Sequence, residues 1–157
     1  YMATNQQQLA MKTYLRMTDV YEPAYNEVAY SVLMAARLAR TLGDEQQAKT
    51  LYARVFPYGY GLATGAALRD QAEKLLEANK PEEAIRVLTS EPLVGEGAKQ
   101  AQAAVTAFLA VCHYRAGRAE IAKQKALEAQ RIFDALSKDE KGFSGIAEQV
   151  QFAQACI

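Results

Sequence analysis

The sequence predicts an all-α chain built from helical hairpins, and three observations support that prediction. First, one spacing recurs: an alanine, then Gly or Asn seven residues later, then a second alanine five residues after that. Second, the copies are evenly spaced, 36 and then 38 residues apart. Third, the segments between them carry apolar residues at helical spacing. The three copies are Ala36, Gly43 and Ala48; Ala72, Asn79 and Ala84; and Ala110, Gly117 and Ala122.

The middle residue of each copy predicts a turn between two helices. Gly and Asn are the residue types that most easily adopt the left-handed backbone conformation that ends a helix. The flanking alanines suit positions where two helices approach closely, because a larger side chain would force the pair apart. We therefore expect positive φ angles at Gly43, Asn79 and Gly117, and burial of all six alanines.

The first predicted element is a single helix at 4–21. Ala10 lies 38 residues before Ala48, and Tyr14 stands four residues after it, where the next copy has Tyr52. This segment therefore resembles the second helix of a repeat without its first. We expect the chain to begin in the middle of a repeat, either as a piece of a longer protein or as an array opened by a lone capping helix.

The first two full repeats are predicted at 24–57 and 63–91, with helices at 24–42, 44–56, 63–78 and 81–90. Pro81 favours the first turn of its helix, because proline needs no backbone N–H there. The glycine-rich stretch 59–65, `GYGLATG`, lacks the lysine of a phosphate-binding loop, so we interpret it as a flexible connector.

The third repeat is predicted at 98–136, with helices at 98–116 and 118–136, and a capping helix follows at 144–156. Ile146, Val150 and Ala153 form one apolar stripe on this last helix, which would cover the open end of the array. The segments `EPLVGEG` and `SKDEKG` are predicted to be loops. Residues 1–157 thus form a single domain.

These residues resemble the tetratricopeptide repeat (TPR) family. The segments `ARTLGDEQQAKTLYARVF`, `AEKLLEANKPEEAIRVL` and `AVCHYRAGRAEIAKQKAL` are similar to its sequence of small residue, Gly-Asp turn, small residue and aromatic or leucine, with a period near 34. The match is degenerate, because Val32, Leu68 and Thr106 stand where the family has a large aromatic. The resemblance implies a right-handed α-solenoid of about three hairpins.

Charge and composition restrict the classes of partner. The 18 Lys and Arg balance 18 Asp and Glu, so there is no overall electrostatic case for nucleic acid or an anionic membrane. The longest nearly uncharged apolar run, 103–114, is well short of the roughly 20 residues that span a bilayer. The compartment stays open between cytoplasm and periplasm, and the chain is expected to be the soluble domain of a larger protein.

No catalytic, cofactor or metal site is predicted. His113 is the only histidine, and its repeat equivalents are Ala39 and Leu75, so we expect it in or near the core. One histidine with two distant cysteines provides too few ligands for a zinc site. Cys112 and Cys156 both lie in helical segments, and we expect two buried thiols rather than a disulfide. An enzyme is therefore not the favoured class.

The remaining candidate for a functional site is the protein surface. The family resemblance implies that the first helix of each hairpin lines a concave groove, and this lining contains no Asn, so the family's best-known peptide clamp is not predicted. For each position the alternative is an ordinary solvated helix face. The predicted lining residues are Tyr30, Leu33, Arg37, Arg40, Arg69, Glu73, Leu76, Glu77, Ala107, Val111, Tyr114 and Arg115.

Four of these residues, Arg37, Arg40, Arg69 and Arg115, predict a basic strip that would suit a partner peptide or helix with acidic and apolar residues. Tyr58 and Tyr60 are either exposed contact residues or packed anchors of their loop. The sequence therefore favours a non-enzymatic protein-interaction scaffold. The alternative is a structural domain that forms homo-oligomers by stacking through its N-terminal end.

Overall fold

The computed structural model of the chain describes residues 2–20, 25–141 and 145–155. Helices and a short 3-10 turn at Phe56–Tyr58 account for all the regular structure in these ranges, which contain no strand. The all-α prediction is confirmed. The helices are α1 (Met2–Val20), α2 (Tyr25–Thr41), α3 (Glu45–Val55), α4 (Gly61–Glu77), α5 (Pro81–Leu88), α6 (Ala98–Arg115), α7 (Ala119–Asp134), α8 (Lys138–Lys141) and α9 (Ile146–Ala155).

Each predicted helix begins and ends within two residues of an observed one, although predicted ends at 21, 24, 144 and 156 lie outside the described residues. One loop prediction is wrong, because `SKDEKG` contains α8. The Glu140 N–H donates to Ser137 Oγ (3.2 Å), and the Ser137 N–H donates to Glu140 Oε2 (2.8 Å). This reciprocal capping box satisfies two backbone donors at the start of the helix.

The three predicted turns share one hydrogen-bond pattern. At Gly43 and Asp44, the two N–H groups donate to the carbonyls three and five residues back, at 3.0 Å each. Equivalent pairs of bonds occur at Asn79 with Lys80 and at Gly117 with Arg118. This is the Schellman motif, which requires a left-handed residue after the helix. The φ angles are 82° at Gly43, 57° at Asn79 and 76° at Gly117, as predicted.

The prediction of buried alanines is also confirmed. Ala48 is 2% exposed, and the other five alanines of the pattern are fully buried. They lie where α2 packs on α3, α4 on α5 and α6 on α7. Outside these pairs, α1 packs on α2, α4 packs on α6, and α9 packs on both α6 and α7. The apolar stripe predicted on α9, formed by Ile146, Val150 and Ala153, is buried.

The prediction of a flexible connector at 59–65 is wrong for its last five residues, because α4 begins at Gly61. A Cβ added at Gly61 would stand 2.5 Å from Ala98 Cα, and one added at Gly65 would stand 2.7 Å from Ala101 Cβ. Both distances are too short for real carbon contacts. The two glycines, one helical turn apart, therefore allow α4 to approach α6 more closely than any larger residue would.

Replacing Gly43 by Val should destabilise the fold by about 1–3 kcal/mol, because a β-branched residue resists positive φ. A Cβ at Gly43 meets no atom within 4 Å, so backbone strain alone would act. The measurement is urea unfolding monitored by helical circular dichroism, with Asn79→Gly as a control that should change stability little. An unchanged midpoint for Gly43→Val would contradict the strained turn.

The α4–α6 contact can be tested with a double-mutant cycle. Gly65→Ala should destabilise the fold by about 1–3 kcal/mol through overpacking against Ala101. Ala101→Gly removes the opposing Cβ but weakens its own helix by about 1 kcal/mol. We expect the double variant to be more stable than the sum of the two single effects predicts. If the two changes in the free energy of unfolding are strictly additive in chemical denaturation, the side chains at the two positions do not interact.

Candidate functional site

A polar cluster centred on Asp70 joins α2, α3 and α4. Arg37 Nε and one terminal nitrogen of Arg37 donate to the two carboxylate oxygens of Asp70 at 2.6 and 3.1 Å. The Tyr52 hydroxyl donates to Asp70 Oδ2 at 3.3 Å. The Asp70 side chain is only 14% exposed, whereas that of Arg37 is 38% exposed. A two-pronged contact of this kind fixes the orientation of both side chains.

Arg40 is held by the same segment of α4. One of its terminal nitrogens donates to the Asp70 carbonyl at 2.7 Å, and the other lies 3.8 Å from a Glu73 carboxylate oxygen. Arg37 and Arg40 are therefore intramolecular links between α2 and α4. The charges of these two residues of the predicted basic strip are matched within the chain by Asp70 and Glu73.

Asp70 was not predicted from the sequence, although a signal for it exists. It stands three residues after Ala67 and seven after Ala63, two fully buried alanines, so helical periodicity places a carboxylate on an apolar stripe. A carboxylate in that position needs a partner. The partner itself, Arg37, lies 33 residues away, and only the fold brings the two together.

Two adjoining cavities lie between α2, α4, α6 and α9, and we refer to them together as the groove and to each as a compartment. The compartment beside α9 has a volume of about 330 Å³, with Ala107, Phe108, Val111 and Phe152 among its apolar lining and Glu73 and Glu148 among its polar lining. The compartment beside α2 has a volume of about 240 Å³, and its polar lining consists of Tyr30, Arg37, Arg69, Gln100 and Gln149. Arg69 and Gln149 line both compartments.

Arg69 lies at the junction of the two compartments. One of its terminal nitrogens donates to Gln149 Oε1 at 2.5 Å, which links α4 to α9. Burial lowers the pKa of Arg69; Asp70 and Glu73 oppose this shift, and Arg37 adds to it. The structure thus holds a desolvated guanidinium beside a neutral amide. The sequence predicts Arg69 in the groove but not Gln149, because nothing in it places α9 next to α4.

The other predicted lining residues are distributed unevenly. Val111 is half-buried in the α9 compartment, and Tyr30 is 47% exposed at the α2 compartment. Glu73 lines the α9 compartment and is exposed. Glu77, Tyr114 and Arg115 are also exposed, but neither compartment includes them in its lining. Of the four residues of the predicted basic strip, Arg37 and Arg69 line a compartment.

The prediction that Leu33 lines the groove is wrong, because its side chain is fully buried in the core. At about 100° per residue, Leu33 lies about 60° around α2 from Tyr30, on the side of Ala29 and Ala36. Both of these alanines are fully buried. Leu33 therefore falls at the edge of the buried face, and Ala107, 1% exposed, is similarly buried although it borders the α9 compartment.

The two tyrosines of the loop before α4 anchor that loop. Tyr58 and Tyr60 are half-buried and pack against the first core cluster. The rings of Tyr60 and Tyr30 lie with their centroids 6.4 Å apart at an angle of 50°. Burial raises the pKa of Tyr60, and Glu96 adds to the shift. Of the two alternatives for these residues, the packed one agrees with the structure.

The two side chains considered for catalysis or metal binding, His113 and Cys112, do not line either compartment. His113 is half-buried, as predicted; burial lowers its pKa, helped by Arg118, and its Nδ1 finds no hydrogen-bond partner among the described residues. Cys112 is buried as a free thiol, and burial raises its pKa to about 12. Cys156, predicted as a second buried thiol, lies outside the described residues.

Two further observations concern only residues 2–20, 25–141 and 145–155. Within these ranges, no three His, Cys, Asp or Glu side chains converge in a way that would hold a metal ion. No helix there is both long enough and apolar enough to cross a bilayer.

Comparisons of the chain with models of protein families, with curated proteins and with solved structures gave no match.

The Asp70 cluster predicts a specific loss of stability at high pH. Burial, followed by the charge of Asp70, raises the pKa of Tyr52 from 10.0 to about 12. Between these values the unfolded chain ionises Tyr52 while the folded chain keeps the proton, so the free energy of unfolding falls as pH rises. At about 1.4 kcal/mol per pH unit, the loss by pH 12 approaches about 2–3 kcal/mol.

Tyr52→Phe isolates this contribution. We expect the difference in unfolding free energy between the wild type and Tyr52→Phe to be constant below pH 10 and to shrink from pH 10 to 12. The other tyrosines and the lysines contribute equally to both proteins and cancel in the difference. A difference that stays constant up to pH 12 would show that Tyr52 titrates normally.

Proposed function

We propose that this chain is a non-enzymatic scaffold of the TPR-like kind, a right-handed solenoid that binds a segment of a partner protein in its groove. Three helix pairs with the same turn hydrogen bonds support the repeat architecture. In this proposal α1 corresponds to a half-repeat and α9 to the cap of the last repeat. The groove between α2, α4, α6 and α9 corresponds to the concave binding surface of such solenoids.

The observation that best supports this proposal is the apolar floor of the α9 compartment, which is formed by Phe108, Val111 and Phe152. Phe152 is 60% exposed, and it lines the same compartment as Phe108 and Val111, which are half-buried. An exposed aromatic within a concave apolar surface gains most from burial against a partner side chain. Arg69, Glu73 and Glu148 surround this floor with charge. An apolar floor with a polar rim is the usual anatomy of a protein-binding site.

A second candidate function is supported by α1. Leu9 is 66% exposed, and it forms a shallow hollow with Gln6, Ala10, Thr13 and Tyr14, none of which carries a charge at neutral pH. This uncharged surface favours stacking of α1 on another copy of the chain. In that case the domain would serve oligomerisation, and the groove would need no ligand.

Selection from a random peptide library distinguishes the two functions. The wild type, Phe152→Asp and Leu127→Asp are immobilised separately, and enriched peptides are retested on each. Leu127 is the matched control, because it is 50% exposed on α7 but does not line the groove. We expect peptides that bind the wild type and Leu127→Asp equally and that bind Phe152→Asp roughly tenfold or more weakly, the loss typical of a hot-spot residue.

Two outcomes would contradict the groove proposal. One is the absence of any enriched peptide, and the other is equal binding to Phe152→Asp. If either occurs and light scattering shows that the chain is an oligomer that Leu9→Asp converts to a monomer, the oligomerisation function replaces the groove function.

A further inference from the structure

Arg69 differs from Arg37 and Arg40 in its side-chain partner, which is a neutral amide rather than a carboxylate. Arg37 is paired with Asp70 and Arg40 with Glu73. Arg69 makes its hydrogen bond to Gln149, a neutral amide, and among the described residues no carboxylate forms an ion pair with it. A desolvated guanidinium with a neutral partner has unused capacity, because it carries five N–H donors.

The surroundings of Arg69 differ between the two compartments. The α9 compartment contains Asp70, Glu73 and Glu148 and would repel an incoming anion. The α2 compartment is lined by two guanidiniums, two amides and the Tyr30 side chain, and by no carboxylate. Gln100 is buried there, only 7% exposed. A ligand oxygen entering this compartment would therefore meet donors, and its volume of about 240 Å³ fits one side chain rather than a folded element.

On the basis of the proposed groove function, we propose that the α2 compartment takes an acidic side chain, Asp or Glu, from the bound partner segment and that Arg69 is its anchor. The carboxylate displaces the amide oxygen of Gln149 and forms a charge-assisted pair with the guanidinium. The occupant is a peptide segment rather than a small anion, because the α9 compartment, which shares Arg69 and Gln149, offers an adjoining apolar floor.

Gln149 has a defined role in this arrangement. It lies on α9, between the buried residues Ile146 and Val150, and its amide oxygen occupies one donor of Arg69 when no partner is bound. The Gln149 side chain therefore satisfies part of the hydrogen-bonding capacity of Arg69 without neutralising its charge. A carboxylate at position 149 would neutralise the charge of Arg69, and an alanine would leave the guanidinium without this hydrogen-bond partner. These two substitutions should change ligand binding in opposite directions.

The probes are a short blocked peptide of alanine and leucine with one central glutamate, the same peptide with glutamine, and acetate. Binding is followed through the Arg69 Nε–H resonance in nuclear magnetic resonance spectra of the chain. We expect the glutamate peptide to shift this resonance and to bind roughly tenfold or more tightly than the glutamine peptide, as expected for one charge-assisted contact. Added salt should weaken its binding.

Variants test the role of Gln149. Gln149→Glu should abolish binding of the glutamate peptide, while Gln149→Ala should strengthen it. Gln151→Glu is the matched control, because it adds the same charge at an exposed position of α9 and should change binding little. Arg69→Gln should remove the preference for glutamate over glutamine. Gln149→Glu gives an independent result if Arg69→Gln perturbs folding.

Several outcomes would overturn the inference. They are equal binding of the two peptides, equal binding to Gln149→Glu and to the wild type, and no binding of either peptide. If acetate binds as tightly as the glutamate peptide, the site takes small anions only and the peptide proposal is wrong. Library peptides that contain no acidic residue and still bind the groove would overturn this inference and leave the proposed function intact. A library that yields no groove peptide would overturn the function itself.

Discussion

The close approach of α4 to α6 is the constraint on which the groove depends. Gly61 and Gly65 let the two backbones meet where a Cβ would stand 2.5 to 2.7 Å from atoms of Ala98 and Ala101. The loops before the two helices also pack backbone against backbone, since the Gly61 N–H donates to the Glu96 carbonyl at 2.9 Å. Because α4 and α6 both line the groove, their separation sets the width of both compartments.

The Asp70 cluster fixes the other side of the groove by a different kind of force. Apolar packing resists separation but is weakly directional, whereas the paired contact of Arg37 with Asp70 is directional and holds α2 in register with α4. The pair is partly exposed, so its contribution to stability is modest. Its main consequence is that it orients α2 against α4 and engages Asp70, while Arg69, the next cation along the groove, bonds to the neutral amide of Gln149.

The sequence predicted the elements of this fold better than it predicted the site. The turns at Gly43, Asn79 and Gly117 follow from local backbone conformation, which residue type controls directly. The burial of Leu33 was missed, because a side chain 60° from the exposed face of a helix falls on either side of the boundary depending on its neighbours. The Asp70 and Gln149 contacts were missed, because they join residues 33 and 80 positions apart. Glycines four residues apart at 61 and 65 were a usable signal for close helix packing.

The position of Gln149 links α9 to the groove. α9 is held to α6 and α7 by its buried stripe, and the same short helix presents Gln149 to Arg69. Any ligand that replaces Gln149 therefore removes one contact that holds α9 to α4. The coupling free energy is the same in both directions. If such a ligand loosens α9, then loosening α9 favours binding of the ligand by the same amount. The buried stripe and the groove-facing residues lie on adjoining faces of α9, because Ile146 is buried and also lines the α2 compartment. Under the proposed function, ligand binding and the attachment of α9 would therefore share one equilibrium.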